Sequence, residues 1–517
     1  MSNTAKRMTA LALAILTLIT LLALSACGGG TGGESDAPAP GENTVGEETT
    51  APAETKPHYQ TLSGDYSGRT FRVLGMYNDS YPQFTNFEIW SEGETGDIVN
   101  DAVFRRNLDI EQQYGVTIEQ KLAEADQAHS NTKLYKHIES TVLAGEDSFD
   151  IFFIMLRDAD QIIANAYSLD MAEFEYIDFS QPYWNQKTIE DISIGGKVYL
   201  TNSDFSLIDK KRTYTLMYNR ELCSEYSDYK IEDMIYDGNW TLDIIAELCD
   251  AVSFDINGDG VPGIEDQWGL GFDSDKGLCS LLIGMGGSLA AKDETGMPVI
   301  NVGSERMINI AQKIYDSFNG KYNYFFCGQY PWKVTHMRSA DAGAVFKAGR
   351  LLFITSFPQS LVSFSAESDL DYGIITYPKY DESQDGYYTY ADLWGCALFG
   401  APVTNPDTSF TGFMLEILSG MSTDTTLKAY YETSCKIKHV YDETSADMLD
   451  ITFSGIVFDL GTIFDWGGMY STVISQILSM GGSPAKTFDY VSKWESIKEK
   501  AESEMDKTIE IILAREF

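Results

Sequence analysis

The chain has 517 residues, with 77 Asp and Glu against 37 Lys and Arg, for a formal net charge of −40. Acid in such excess repels phosphate backbones and argues against a nucleic-acid binder. It does not signal disorder, because 44% apolar and 13% aromatic residues supply a core, and since one core rarely grows past about 250–300 residues, at least two lobes are expected.

Lys6 and Arg7 precede an uncharged apolar run, Thr9 to Leu24, which ends in Leu24-Ser25-Ala26-Cys27 and a glycine triplet. Charge, apolar run and small residues in that order mark an export signal. Leu-Ser-Ala-Cys at that place resembles the bacterial lipobox. The resemblance implies a signal peptide over 1–26, cleavage before Cys27 and a diacylglyceryl group on the Cys27 sulfur. A transmembrane anchor, or a plain signal with an incidental cysteine, is the alternative. The run is short for a span, and no later stretch reaches about 18 uninterrupted apolar residues. The expected location is the extracellular face of a bacterial cell membrane, with lipid as the only membrane contact. Residues 27–65 form the lipidated cysteine and an acidic tether, too poor in large apolar side chains to bury surface.

Thr70–Tyr77 reads as a strand. Asp97 to Tyr114 reads as a helix, with Val99, Ala102, Val103 and Ile110 on one face and Gly115 as C-cap. Val116, Ile118 and Leu122 alternate as in a strand. A second helix carries Leu134, Ile138 and Val142 and stops at Gly145. Phe149–Met155 is a continuous apolar run, as in a strand of a parallel sheet covered on both faces. This order predicts an α/β layer. A helix follows Trp240, with Thr241 as N-cap and Asp243 in its first turn. Leu351–Thr355 and Tyr372–Tyr377 read as strands, and Trp494, Ile497, Ala501, Met505, Thr508 and Ile512 mark a C-terminal helix. Of the seven cysteines, the six after Cys27 are far apart with no C-x-x-C, which argues against a zinc site and favours buried thiols.

Several segments then occur in a familiar order. Tyr214–Leu222 is similar to the "YNK-D-L" segment of carbohydrate-type extracellular solute-binding proteins of ABC importers, the maltose-binding-protein-like family 1. Asn239-Trp240-Thr241 resembles that family's "TW" helix start, and Asp255–Gly260 with Trp268-Gly269-Leu270 its "D-x-NGDG … YGL" stretch. Phe346–Arg350, Asp371–Pro378, Trp394-Gly395 and Asn405-Pro406 resemble further elements, together covering roughly residues 66–480. There are departures: Ala391-Asp392-Leu393 stands where the family has "GGW" glycines. The resemblance implies a two-lobed periplasmic-binding-protein-like fold (type II), each lobe a mixed sheet flanked by helices. Lobe one would combine 66–205 with 358–402, and lobe two 206–357 with 403–517. Crossings would fall near Asp204–Lys210, Ile354–Pro358 and Ala401–Pro406.

Asp255-Ile-Asn257-Gly-Asp259-Gly260-Val261 to Glu265-Asp266 fits a D-x-N-x-D-G calcium loop, with Gly260 at the sharp turn and Val261 giving a carbonyl. Asp266 at position twelve and Glu265 are rival last ligands. A structural Ca²⁺ is expected, against the alternative of a metal-free acidic turn. Gly258-x-Gly260-x-x-Gly263 is rejected as a dinucleotide fingerprint, because no strand directly precedes it and the flanking acids would repel a pyrophosphate. Saccharide binding needs aromatic faces and planar polar groups. Trp394 falls where the family has a cleft-facing Trp turn, and Trp466 where relatives place a stacking aromatic. Tyr77 and Asn78 end one strand and Arg157 and Asp158 follow another, at the strand ends that face a ligand crevice. Phe357 sits on an expected crossing.

Five scattered histidines, with no H-E-x-x-H, G-x-S-x-G or P-loop, offer no catalytic constellation, and no enzyme is expected. The reading is an anchored monomeric receptor that captures a saccharide by hinge closure and delivers it to ABC permease subunits. An anchored glycan hydrolase, or a sensory or adhesive lipoprotein on the same fold, is the alternative. Arg157, Arg338 and Arg350 offer local positive charge, but the overall acidity favours a neutral ligand.

Overall fold

The structure is a computed structural model. It describes residues 62–128, 130–260, 263–318, 324–326, 339–360, 370–435, 443–478 and 488–514. Strand β1 is Thr70–Tyr77 and helix α1 is Ile98–Tyr114. The Asp97 side chain caps α1 by accepting from the Asn100 N–H, and Gly115 ends it at φ 68°, a left-handed turn that glycine adopts without strain. Then come β2 (Thr117–Glu124), α2 (Lys133–Leu143, capped by Thr132), β3 (Ile151–Met155) and α3 (Ala159–Ala164). β1 pairs in parallel with both β2 and β3, as the strand–helix order predicts.

The short helices α4 (Gln186–Ile192) and α5 (Ile208–Arg212) lead into a second sheet. Its elements are β4 (Thr215–Asn219), α6 (Arg220–Tyr226), α7 (Ile231–Tyr236), α8 (Leu242–Val252), β5 (Trp268–Phe272) and α9 (Asp275–Gly284). An antiparallel pair, β6 (Ala290–Lys292) with β7 (Pro298–Ile300), precedes α10 (Glu305–Phe318), β8 (Tyr324–Phe326), α11 (Ser339–Lys347), β9 (Leu351–Ser356) and β10 (Tyr372–Ile375). After β11 (Thr389–Tyr390) come β12 (Ala397–Gly400), α12 (Thr408–Ser422), α13 (Lys428–Cys435) and α14 (Glu443–Ser454). The chain closes with β13 (Ile456–Val457), α15 (Leu460–Phe464), α16 (Met469–Leu478) and α17 (Tyr490–Leu513). Among the described residues no helix is long and apolar enough to cross a membrane.

The first sheet has the order β12-β3-β1-β2 and the second β10-β4-β9-β5-β8. Both are mixed: β12 runs antiparallel to β3, and β4 antiparallel to β9 and β10. Every residue of β3 is buried, and its alternation divides two cores. Ile151 and Phe153 point to a cluster with Phe399 and Phe410, while Phe152 and Ile154 join a cluster that continues into the second lobe.

Two pieces depart from the expected division at 358 and 403. β10 pairs with β4, because Tyr372 and Ile374 pack with Met217 and Phe346 in the second lobe's core. Helix α12 belongs to the first lobe. It is buried on all sides, and Phe410 and Phe413 meet Phe71 and Tyr114 edge-on. Its buried acid, Glu416, accepts from Trp184 Nε1 at 2.9 Å and from the Tyr183 hydroxyl. The chain therefore remains in the second sheet after β9 and crosses back between β10 and β12, rather than near Ile354–Pro358. Because α12 packs on the first lobe, the chain does not cross near Ala401–Pro406.

Candidate functional site

The candidate site is the junction where these crossings meet the strand ends. At the end of β1, Asn78 is only 4% exposed. Its Nδ2 donates to the Ala125 carbonyl, and its Oδ1 accepts from the Ser80 and Tyr81 N–H groups at 3.0 and 2.9 Å. Those bonds shape the turn that delivers Phe84. Asn78 is thus a scaffold for the junction, while Tyr77 closes the strand half-buried. At the end of β3, the N–H groups of Leu156 and Arg157 donate to the carbonyls of Cys396 and Leu393, at 3.0 and 3.1 Å. This ties the turn 392–396 to the first sheet.

The turn presents Trp394, which is partly exposed. The Arg157 guanidinium lies over its ring at 4.3 Å and the Lys276 ammonium, from the first turn of α9, at 5.6 Å. A cation from each lobe thus meets one indole, the geometry in which ring and charge attract. Asp158 is fully buried and accepts from the Thr132 hydroxyl at 2.7 Å; burial raises its pKa.

Arg212, the last residue of α5, spans the junction. Its guanidinium stands 3.7 Å from the Phe357 ring centroid and 4.7 Å from that of Phe84, with Nη2 3.8 Å from Asp392 Oδ2. Phe357 is packed on its other partner, Tyr214, with centroids 4.2 Å apart. Gly395 makes the room: a Cβ there would lie 2.8 Å from both Arg212 Nε and Asp392 Oδ2. Burial holds the Asp392 pKa above the ordinary range, and Arg212 pulls it back. At the end of β5, Asp273 accepts from the Thr355 hydroxyl at 2.6 Å and from the Tyr214 hydroxyl at 3.3 Å. Its pKa is pushed up to about 6, chiefly by burial.

Trp394, Arg157, Asp158 and Phe357 are thus brought to this junction. Trp466 is not. It is 3% exposed, stacks on Phe464 at 4.8 Å, and donates its Nε1–H to the Thr508 hydroxyl at 3.0 Å. It is a core residue holding α17 in place. Sequence reasoning missed Arg212, Asp273 and Lys276. One signal was available: Asp392 replaces a glycine of the resembled motif, and an acid introduced there needs a cation nearby.

The acidic loop folds around its own backbone. Asp255 accepts from the Gly258 and Gly260 N–H groups at 2.6 and 2.7 Å, with those glycines at φ 74° and 72°. Asn257 accepts from the Asp259 N–H at 2.9 Å, and Asp266, 3% exposed, accepts from Gly263 N–H at 2.7 Å and Ile256 N–H at 3.2 Å. Glu265 is exposed. Arg350 donates to the Ile264 and Asp266 carbonyls, which places it at this loop. Among the described residues no three His, Cys, Asp or Glu converge as a metal-binding group. Cys27, Val261 and Arg338 lie outside the described residues. Cys223, Cys249, Cys279 and Cys396 are buried thiols.

No protein-family model matches the sequence, and no curated protein matches it either. Solved structures do match. The sugar-binding protein MalE from the phytopathogen Xanthomonas citri superposes with a TM-score of 0.56 at 11% identity, covering 86% of this chain and 100% of that one. A cyclo/maltodextrin-binding protein complexed with maltotetraose gives 0.52 at 12% identity, covering 89% and 98%. UspC of M. tuberculosis gives 0.50 at 10% identity, covering 84% and 100%. At such identities the likeness speaks for the architecture alone: the protein shares the two-lobed α/β fold of these structures.

Proposed function

We propose that the protein is a membrane-anchored extracellular solute-binding protein that captures a saccharide between its lobes and delivers it to an ABC permease. The observation that carries this reading is Trp394, an aromatic face gripped from both lobes by Arg157 and Lys276. An indole offers the C–H face of a sugar ring a stacking surface, and guanidinium and ammonium groups bond its hydroxyls. That a solved protein of this fold holds maltotetraose supports a saccharide as the ligand. Capture needs hinge closure and no covalent step. A lipid on Cys27 would hold a monomeric body at the outer face of the membrane, within reach of permease subunits. Ca²⁺ would occupy the loop from Asp255 to Asp266, with Asp255, Asn257, Asp259, the Val261 carbonyl and Glu265 or Asp266 as its oxygen ligands.

A thermal-shift panel of mono- and oligosaccharides tests this. A ligand at a hundredfold excess over its Kd stabilises by about 2.7 kcal/mol. Stabilisation with the sugar recovered intact is the expected result. Recovery of a cleaved product would overturn it in favour of a hydrolase. No stabilisation by any saccharide would move the protein to the sensory or adhesive class.

A further inference from the structure

Most cations around the junction have a carboxylate opposite them. Arg212 faces Asp392 at 3.8 Å, Lys276 faces Asp275 at 2.6 Å, Lys210 lies 3.7 Å from Asp204 and 3.6 Å from Asp209, and Lys211 lies 3.7 Å from Glu88. Arg157 does not follow the pattern. It is 7% exposed, yet among the described residues no carboxylate forms an ion pair with it. Its neighbour Asp158 is turned to Thr132, and the hydrogen bond it makes to Asp126 goes to the backbone carbonyl. Its Nε is buried with no hydrogen-bond partner. In a chain with 77 acidic side chains, a buried guanidinium with no carboxylate at ion-pair distance is a strong departure: Asp158, Asp126 and Asp392 act on it only through space, and a buried charge is destabilising until something pairs with it directly. Burial already holds its pKa below the usual arginine range.

We infer that the ligand itself supplies the missing direct partner: a saccharide bearing a carboxylate or sulfate, its oxyanion held by Arg157, its ring against Trp394, and Lys276 closing from the second lobe. The inference rests on the saccharide reading above and narrows it. A guanidinium is the side chain whose planar fork matches an oxyanion, and its hydrogen bonds are charge-assisted.

Calorimetric titration of the whole protein against matched pairs tests it. Galactose oligomers are compared with galacturonate oligomers, glucose oligomers with glucuronate-bearing ones, and each with sulfated counterparts. The acidic member should bind, more weakly as salt is raised. Arg157→Gln should weaken it by about ten- to a hundredfold, with Arg157→Lys intermediate. Lys276→Gln, on a more exposed side chain, makes the same comparison if Arg157→Gln does not fold. The uronate and sulfate arms identify which oxyanion is taken. Neutral oligosaccharides binding as well as their acidic partners would overturn this inference and leave the saccharide reading standing. Failure of every saccharide, neutral and acidic, would overturn both.

Discussion

Replacing Arg212 by methionine keeps a long apolar stem over Phe357 but removes the charge that Asp392 faces. The two side chains are 13% and 2% exposed, so the substitution strands a buried carboxylate. Breaking such a pair costs about 3–5 kcal/mol, and the 3.8 Å separation favours the lower end. Loss of the cation from the Phe84 and Phe357 rings adds about 0.5–2 kcal/mol. The deficit should depend on pH. Burial raises the Asp392 pKa in the folded protein and Arg212 lowers it; without Arg212 it rises further. A carboxylate whose folded pKa is raised favours folding below its unfolded pKa, and that contribution is lost as pH rises through the folded value. The variant should therefore be hurt most near pH 8 and recover as the solution is acidified towards the ordinary carboxylate range. Urea unfolding of wild type, Arg212→Met, Asp392→Asn and the double variant across that range is the assay. The double variant should regain most of the loss. A penalty equal at both ends of the range, or a double variant as unstable as the single, would refute the pairing.

Asp273, raised from 3.8 to about 6, follows the same sign. About 3 kcal/mol of its contribution should be present below its ordinary pKa and disappear as pH climbs through about 6; Asp273→Asn should flatten that part of the stability curve measured by urea melts. Trp394→Ala should weaken saccharide binding in titration calorimetry while leaving the unfolding midpoint nearly unchanged. Trp466→Ala should do the reverse, destabilising by about 3–5 kcal/mol because it empties a core site. Chelation by EDTA should lower the thermal midpoint, Ca²⁺ should restore it, and Asp259→Asn should abolish the response; an EDTA shift that Ca²⁺ fails to reverse would retire calcium from the loop.

Local signals were legible. β1 has the bounds read for it from its apolar run, and α1 follows from Asp97 and Gly115, since such local signals act over a few residues. The assignment of β10 and α12 to lobes was not, because a strand of buried apolar residues fits either sheet until its partners are known. The same ambiguity hid Trp466: an indole before a glycine pair reads alike whether it faces a cleft or Thr508. Arg212, Asp392 and Gly395 form a unit only in space, separated by some 180 residues of chain. Their roles come from who pairs with whom, and residue type alone does not carry that.

The placement of β12 beside β3 also sets the order in which this molecule can become itself. Ala397 lies opposite Met155, so a chain emerging N-terminus first holds β3 with a bare edge until most of the second lobe has followed. Helix α12, which covers Phe71 and Tyr114, arrives later still. Neither lobe is a contiguous stretch that can mature alone. Such distant pairings make for slow, cooperative folding, and a chain stopped near residue 205 would present an unpaired hydrophobic strand to its neighbours. The protein should thus be most prone to aggregate as a nascent or truncated chain and least so once its last third has docked.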